Sequence, residues 1–298
     1  MTIARTPAEQ MVQCQRWRAG RESYRPAGEP IEPWRYRVEL IDERQAKDFV
    51  ATHHYAPTMP PARLRVGLFQ VNRFLRPELV GVAVFSVPMQ AAAVPRYLGV
   101  PQAEGVELGR LVLNDCVPSN GESFFVARAN RLLGQSLPDV RGVLSYSDPV
   151  ERIGADGRIV KRGHFGTVYR ALSASYFGRS SPRTLVLDPR GRVLSQRSLS
   201  KLRCGESGAA GAYRQLLEAG APPRRLGEDE DDYVRRALTE GPFRRMRHPG
   251  NLVFGWALGS ATQRRRTRGA MTASEDYPPY PSEASAPAAE QRQHMEFR

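Results

Sequence analysis

Five polar residues near the middle of the chain have side chains suited to chemistry on a bound ligand: Arg110, Asn120, Ser123, Tyr146 and Asp148. Arginine grips a phosphate or carboxylate through two parallel donors. Aspartate takes a proton from nitrogen, ligates a metal or caps a turn. Asn120 and Ser123 flank a helix start, where unpaired amides suit an anion. The elements that must position these residues are legible from spacing. Glu107-Leu-Gly-Arg-Leu-Val-Leu-Asn114 alternates about a Leu-Val-Leu core and predicts a strand, with Arg110 on the face opposite Leu108 and Leu111. Pro118-Ser-Asn-Gly121 breaks it. Glu122 to Leu133 places Phe124, Phe125, Ala129, Leu132 and Leu133 near one helical face. Val140 to Tyr146 predicts a second strand that stops at Ser147-Asp148-Pro149. The five residues thus gather at two strand ends and one helix start, where α/β proteins hold their ligands.

Read in order, Glu-Leu-x-Arg-Leu, Asn-x-x-Ser-Phe-Phe-x-x-x-x-x-Arg-Leu-Leu, Ser-Tyr-x-Asp and Gly-His-x-Gly-x-x-Tyr-x-Ala resemble the Mom family of bacteriophage DNA-modification proteins. The resemblance reaches back to His54-Tyr55, forward through Gly191 to Leu199, and ends near Asn251 to Leu258. It implies an α+β fold (α/β three-layer) similar to GNAT acyltransferases: a mixed, mostly antiparallel sheet with helices on both faces. It also implies a transferase that places a carbamoylmethyl group on the exocyclic amine of adenine in double-stranded phage DNA, protecting it from host restriction. Asp148, Arg110, Tyr146 and Tyr169 are its implied catalytic residues, and His54, Tyr55, Ser123 and Asn120 its substrate contacts. A CoA thioester and an aminoacyl-tRNA are both open as the group donor. Iron is a further expectation, with His54 and Asp148 as ligands and His164 completing a two-histidine, one-carboxylate set. The loop before the helix departs from the Gly-rich GNAT pyrophosphate loop, offering one glycine and the acidic Glu122.

The composition points to an anionic partner. The net charge is +13, and Lys47, Lys161 and Lys201 are the only lysines among 44 basic residues. Six basic and four acidic residues precede residue 36, and six and five follow residue 260, so the centre keeps most of the excess. Arg197, Lys201, Arg203 and Arg245 are the expected DNA contacts. Three scattered cysteines show neither a close pair nor zinc spacing. No run of 18 apolar residues occurs, and no membrane association is expected. The expected location is the cytoplasm of the bacterial host. A homodimer is an open assembly state.

Three segments are expected. Residues 1–35 form a mobile basic arm, with a short helix over Met11 to Trp17. Residues 36–259 form the catalytic domain, with an insertion near 220–241. Residues 260–298 form a disordered tail. Within the domain, Leu64 to Val71 and Leu79 to Val87 predict a hairpin, Pro88 to Gly105 a loop, Gly163 to Phe177 a helix, and Arg192 onward a strand returning from the Asp188 turn. Two other classes remain open: a CoA-dependent acyltransferase acting on a small-molecule or protein amine, and a phage DNA-binding protein without catalysis.

Overall fold

A seven-stranded sheet organises the chain, and every chemically suggestive residue is placed relative to it. The computed structural model describes residues 11–18, 21–26, 29–54, 56 and 58–277. The sheet comprises β3 (Tyr36–Leu40), β4 (Ala62–Asn72), β5 (Leu75–Ser86), β6 (Gly105–Leu113), β7 (Gly142–Ser147), β10 (Ser175–Arg179) and β13 (Leu252–Ala257). Their order is β10-β13-β7-β6-β5-β4-β3. All neighbours pair antiparallel except β6 and β7, which run parallel. The expected α+β class holds.

Alternation along the strands sends one set of side chains to each face. Val80, Ala83 and Phe85 join Phe125, Val126, Ala129 and Leu133 of α3 (Gly121–Ser136) in the largest core. Val82 and Val84 instead meet Ala46, Phe49 and Val50 of α1 (Glu43–His53). On that same face α2 (Ala93–Leu98) packs Val94, Tyr97 and Leu98 against Leu144, Phe177 and Val253. Full burial of side chains such as Phe125 or Leu133 stabilises the fold by about 1.5–3 kcal/mol each. Asp42 caps α1, accepting from Gln45 N. Likewise Asp229 caps α7 (Glu230–Glu240). With α5 (Gln196–Arg203) and α6 (Ala209–Glu218), α7 builds a separate helical core around Leu199, Leu202, Leu216 and Tyr233.

Several local expectations are corrected. Met11–Arg18 is a strand, β1, paired antiparallel with β2 (Arg21–Pro26) rather than a helix. Residues 88–105 contain α2, with Pro95 tolerated in its first turn. The expected helix over Gly163 to Phe177 shrinks to α4 (Thr167–Ala171), since Ser173 takes φ 53° and the chain enters β10. The expected strand after Arg192 returns as far as a single antiparallel bridge between Val193 and Leu187 and then gives way to α5, because Ser195 accepts from Ser198 N and caps a helix. The partner of β11 (Arg183–Leu187) is instead β12 (Arg244–His248). The tail is ordered well past residue 260. Ser260 and Gln263 form a capping box for α8 (Ala261–Ala270), and Tyr277 then stacks on Tyr176. Its few apolar residues concealed an order built from caps and turn bonds. Residues 1–10 and 278–298 lie outside the described residues.

Gly105 and Gly142 open the parallel pair, and each accommodates α2. A Cβ at Gly105 would lie 2.4 Å from Val94 Cγ1, and one at Gly142 would lie 2.8 Å from Leu98 Cδ1. Gly105→Ala is expected to lower stability by about 1–3 kcal/mol through overpacking. Urea melts of the purified variant check this, and an unchanged midpoint would mean that α2 yields without cost.

Candidate active site

The two strands that carry the suggestive residues come apart. β6 and β7 pair only at Gly105/Gly142, Val106/Val143 and Glu107/Leu144. Beyond that point β6 stays with β5 as far as Leu113, and β7 stays with β13 as far as Ser147. The sheet therefore opens between its halves towards the C-terminal ends of β6 and β7. On the ends of these two strands, Ser145 Oγ and Ser147 Oγ of β7 and Asn114 Oδ1 just past β6 are buried without a hydrogen-bond partner among the described residues. Buried polar atoms ordinarily find partners, so such a group marks a place for ligand or water.

A bulge decides which side chains share a face. The register between β5 and β6 shifts between Val84/Arg110 and Phe85/Leu108, with Gly109 in the gap. A Cβ at Gly109 would lie 2.5 Å from Ser86 Oγ, so the close approach calls for glycine. Strict alternation would put Arg110 with Leu108, so the expected placement of Arg110 opposite both Leu108 and Leu111 is met only through the bulge. With it, Glu107 and Arg110 both face α1 and α2. Glu107, half-buried, is pushed up from 4.5 to about 7 by burial, against the pull of Arg110 and the Met89 amide. Tyr146 is raised by burial and then by the neighbouring Glu107 and Tyr97. His54, at the end of α1, is lowered from 6.5 to about 4 by burial and by Arg110. Its Nδ1 accepts from Ala56 N at 2.9 Å, which leaves the ring proton on Nε2. Arg110 donates to Thr58 O from Nε and Nη2, at 3.1 and 2.7 Å. Arg110, Tyr146 and His54 are thus brought together, and Glu107 joins them. Tyr55 lies outside the described residues.

Asp148 belongs to a different cluster. Its carboxylate accepts from His248 Nε2 at 2.9 Å and Val150 N at 3.0 Å, and lies 3.2 Å from Lys161 Nζ. His248 Nδ1 accepts from Gly250 N, so the proton facing Asp148 sits on Nε2. Lys161 is 2% exposed and also donates to the Asp148 and Val150 carbonyls, both at 2.8 Å. Burial lowers Lys161 to about 8 despite Asp148. Burial alone would raise Asp148, but Lys161 and His248 reverse this and hold it below its ordinary value. This arrangement ties the end of β7 to β9 (Ile159–Lys161) and β12.

The remaining expected site residues are dispersed. Tyr169 is buried on the α3 face, its ring against His164, Phe254 and Trp256. Asn120 Oδ1 accepts from Ile31 N, and Ser123 donates to Asn120 O. Arg16 of β1 covers the same loop, donating to Asn114 O, Val117 O and Pro118 O and pairing with Glu122 at 2.5 Å. A pyrophosphate at this helix start would have to displace Arg16 and meet Glu122. Of the expected DNA contacts, Arg197 and Arg203 pair with Glu206 and Asp231, Lys201 is half-buried on α5, and Arg245 is exposed on β12.

The expected iron ligands do not fit a metal. His54 lies beside Arg110, and a lysine ammonium stands 3.2 Å from Asp148 where a cation would bind. Among the described residues no three His, Cys, Asp or Glu side chains are grouped to hold a metal. None of the described helices is long and apolar enough to cross a membrane.

Sequence reasoning passed over Glu107, Lys161, His248 and Arg16. Glu107 stood inside the Glu-Leu-x-Arg-Leu motif. Lys161 was signalled by being one of three lysines in an arginine-rich chain. Nothing local marked His248 or Arg16, whose partners lie about a hundred residues away.

Residues 35–225 match the model of the Mom protein family. No curated protein matches at a significant level. A solved structure described as a tandem GNAT protein from the clavulanic acid biosynthesis pathway, without AcCoA, matches at 10% identity and a TM-score of 0.39. The match covers 76% of this chain and 99% of that one.

Lys161→Met would leave two carbonyls without their donor and the Asp148 carboxylate with Arg152, 3.9 Å away, as its remaining close cation besides the His248 contact. It is expected to lower stability by about 3–5 kcal/mol at pH 7. The stability that Asp148 contributes is fully present above 3.8 and lost as pH falls through its lower folded value, so the deficit should shrink in acid. Denaturant melts between pH 3 and 7, at roughly unit spacing, read both effects. Equal deficits across that range would show that Lys161 does not act through Asp148.

Proposed function

The chain belongs to the Mom protein family, and from that premise we propose that it is a DNA-modifying transferase that adds a carbamoylmethyl group to the exocyclic amine of adenine in double-stranded phage DNA, sheltering that DNA from restriction. The observation that carries the chemical part of this reading is the placement of Glu107 beside Arg110 and Tyr146 where β6 leaves β7.

The adenine amine is a weak nucleophile and must lose a proton as it forms its new bond. Glu107, held near 7, is matched to accept that proton at neutral pH. Tyr146 stays protonated and offers a donor. His54 carries no charge near neutrality and offers its Nε2 proton. Arg110 supplies the positive charge for an anionic part of the donor or the DNA backbone. An adenine entering this opening must first leave its stack. Asp148 acts at one remove, setting the end of β7 through Lys161 and His248. A CoA thioester and an aminoacyl-tRNA are the two donor classes in view. Attack on either carbonyl releases the thiol or the tRNA hydroxyl and gives an N-acyl adenine. A glycyl group joined in this way is an isomer of the carbamoylmethyl product and must rearrange to give it. The CoA thioester would need Arg16 lifted from the start of α3, and the aminoacyl-tRNA would use the basic surface.

The direct test is expression beside a plasmid, followed by mass spectrometry of the plasmid nucleosides. An adenosine heavier by one carbamoylmethyl group is expected. Unmodified nucleosides from folded protein supplied with both donor classes would overturn the reading.

Glu107→Gln separates a base from a structural acid. Wild-type kcat/KM is expected to rise through about pH 7, and the variant to lose roughly 10²–10⁴-fold and to flatten that profile. The folded protein holds this proton more tightly than the unfolded chain does. The corresponding stability is fully present below 4.5 and lost as pH rises through about 7. Glu107→Gln is therefore expected to be more stable than wild type at pH 8, by about 3 kcal/mol. A variant that is both inactive and less stable at pH 8 would make Glu107 a structural residue.

A further inference from the structure

The β4–β5 hairpin outruns the sheet at the end where the β6–β7 opening faces. β6 ends at Leu113, opposite Gly81, and β3 begins at Tyr36, opposite Gln70. Past these positions β4 and β5 pair only with each other, to Asn72 and Leu75. Seven residues separate Gly81 from Phe74, so the ribbon stands roughly 20 Å beyond the end of β6. It rises from the strand next to β6, beside the opening.

The tip is built for contact. Asn72 Oδ1 accepts from Phe74 N and sets the turn. Arg73, Phe74, Leu75 and Arg76 are all exposed, with Phe74 at 85% and Leu75 at 69%. The Arg73 guanidinium lies 5.9 Å from the Phe74 ring centre. Neither Arg73 nor Arg76 has an ion pair among the described residues, although most arginines near the α5–α7 core do. Glu78 is the one acid on the protruding part. An aromatic and a leucine held in water between two unpaired arginines gain nothing for the fold.

We propose that this ribbon enters a groove of the duplex DNA whose adenine is presented to the β6–β7 opening, with Arg73 and Arg76 on phosphates and Phe74 against the bases. The proposal rests on the DNA-modifying reading for the identity of its partner. A two-stranded ribbon fits the major groove, about 12 Å wide, while an apolar side chain flanked by arginines also suits insertion between base steps. The charge is complementary to phosphate, and the reach beyond β6 places the tip alongside a duplex lying across the opening.

The test uses the full chain and a labelled duplex, with binding followed by anisotropy over a salt series and modification followed by nucleoside mass spectrometry. Phe74→Ala is expected to weaken duplex binding roughly ten-fold without changing the salt dependence. The double variant Arg73→Ala, Arg76→Ala is expected to reduce the salt slope by about two. Both should melt like wild type, because Arg73, Phe74 and Arg76 are exposed. Variants that bind the duplex as tightly as wild type, with the same slope, would overturn the ribbon's role even where wild type modifies DNA. A wild type that binds through the ribbon yet modifies no adenine would support the ribbon and remove the chemical reading. A wild type that does not bind duplex would remove both, and tighter ribbon-dependent binding to RNA would overturn the choice of partner.

Discussion

The parting of β6 from β7 after Glu107 and Leu144 is the constraint on which the site depends. A parallel pair normally continues until one strand ends, because each unpaired amide and carbonyl must otherwise find water or a side chain. Here both strands continue, but each keeps its ladder on the outer side only. The three paired positions act as a hinge point for two half-sheets, and Gly105 and Gly142 let α2 press against that point. What the sheet loses in backbone pairing becomes an opening lined by polar atoms. The bulge at Gly109 then turns Arg110 to the face of Glu107, so one irregularity supplies both the charge and the position.

A second constraint keeps the opening in place. β7 would be free to swing at its C-terminal end if Asp148 had only the turn that its Asp-Pro sequence favours. Instead a buried lysine and a buried histidine converge on its carboxylate, from β9 and β12. Burying Lys161 is costly, as its lowering to about 8 shows, and that cost is offset only with Asp148 ionised and both carbonyls in reach. The cluster is therefore all-or-none. Residues 226–258, beyond the stretch matched to the family, supply both His248 and the strand β13 that pairs with β7.

The sequence made the central α+β layer legible because its cues are local. The Leu-Val-Leu alternation of β6 and the helical face of α3 each rest on residues within a turn or two. The failures share a cause. Residues 192–199 alternate well enough for a strand, yet Ser195 caps a helix whose apolar face is satisfied by Tyr233 and its neighbours. Residues 260–277 looked too polar to fold, but side-chain and backbone bonds to Arg96, Tyr97 and Tyr176 secure them. The site divides the same way. Arg110 and Tyr146 were found from strand ends and from resemblance, whereas the meeting of Glu107 with Arg110 required a bulge that period-two reasoning does not contain. Asp148 was expected in a catalytic role, while its contacts with Lys161, thirteen residues away, and His248, a hundred residues away, were not legible.

Net charge also means less by itself than the +13 suggests. Many arginines are consumed within the fold. Arg236 bridges Glu228 and Glu240, Arg224 reaches Glu230, and Arg203 reaches Asp231, so the helical core of α5 to α7 is laced by exchanges of opposite charge. Arg16 is spent on carbonyl oxygens at the start of α3. Other arginines have no ion pair among the described residues and keep charge to offer an outside partner; they include Arg73 and Arg76 on the ribbon, Arg131 on α3, Arg214 on α6, Arg245 and Arg247 on β12, and Arg265, Arg266 and Arg268 on α8. The unpaired charge is therefore spread over several surfaces. Of these, the ribbon stands at the end of the sheet where the opening faces, which is where a duplex must lie if a base is to leave it and enter.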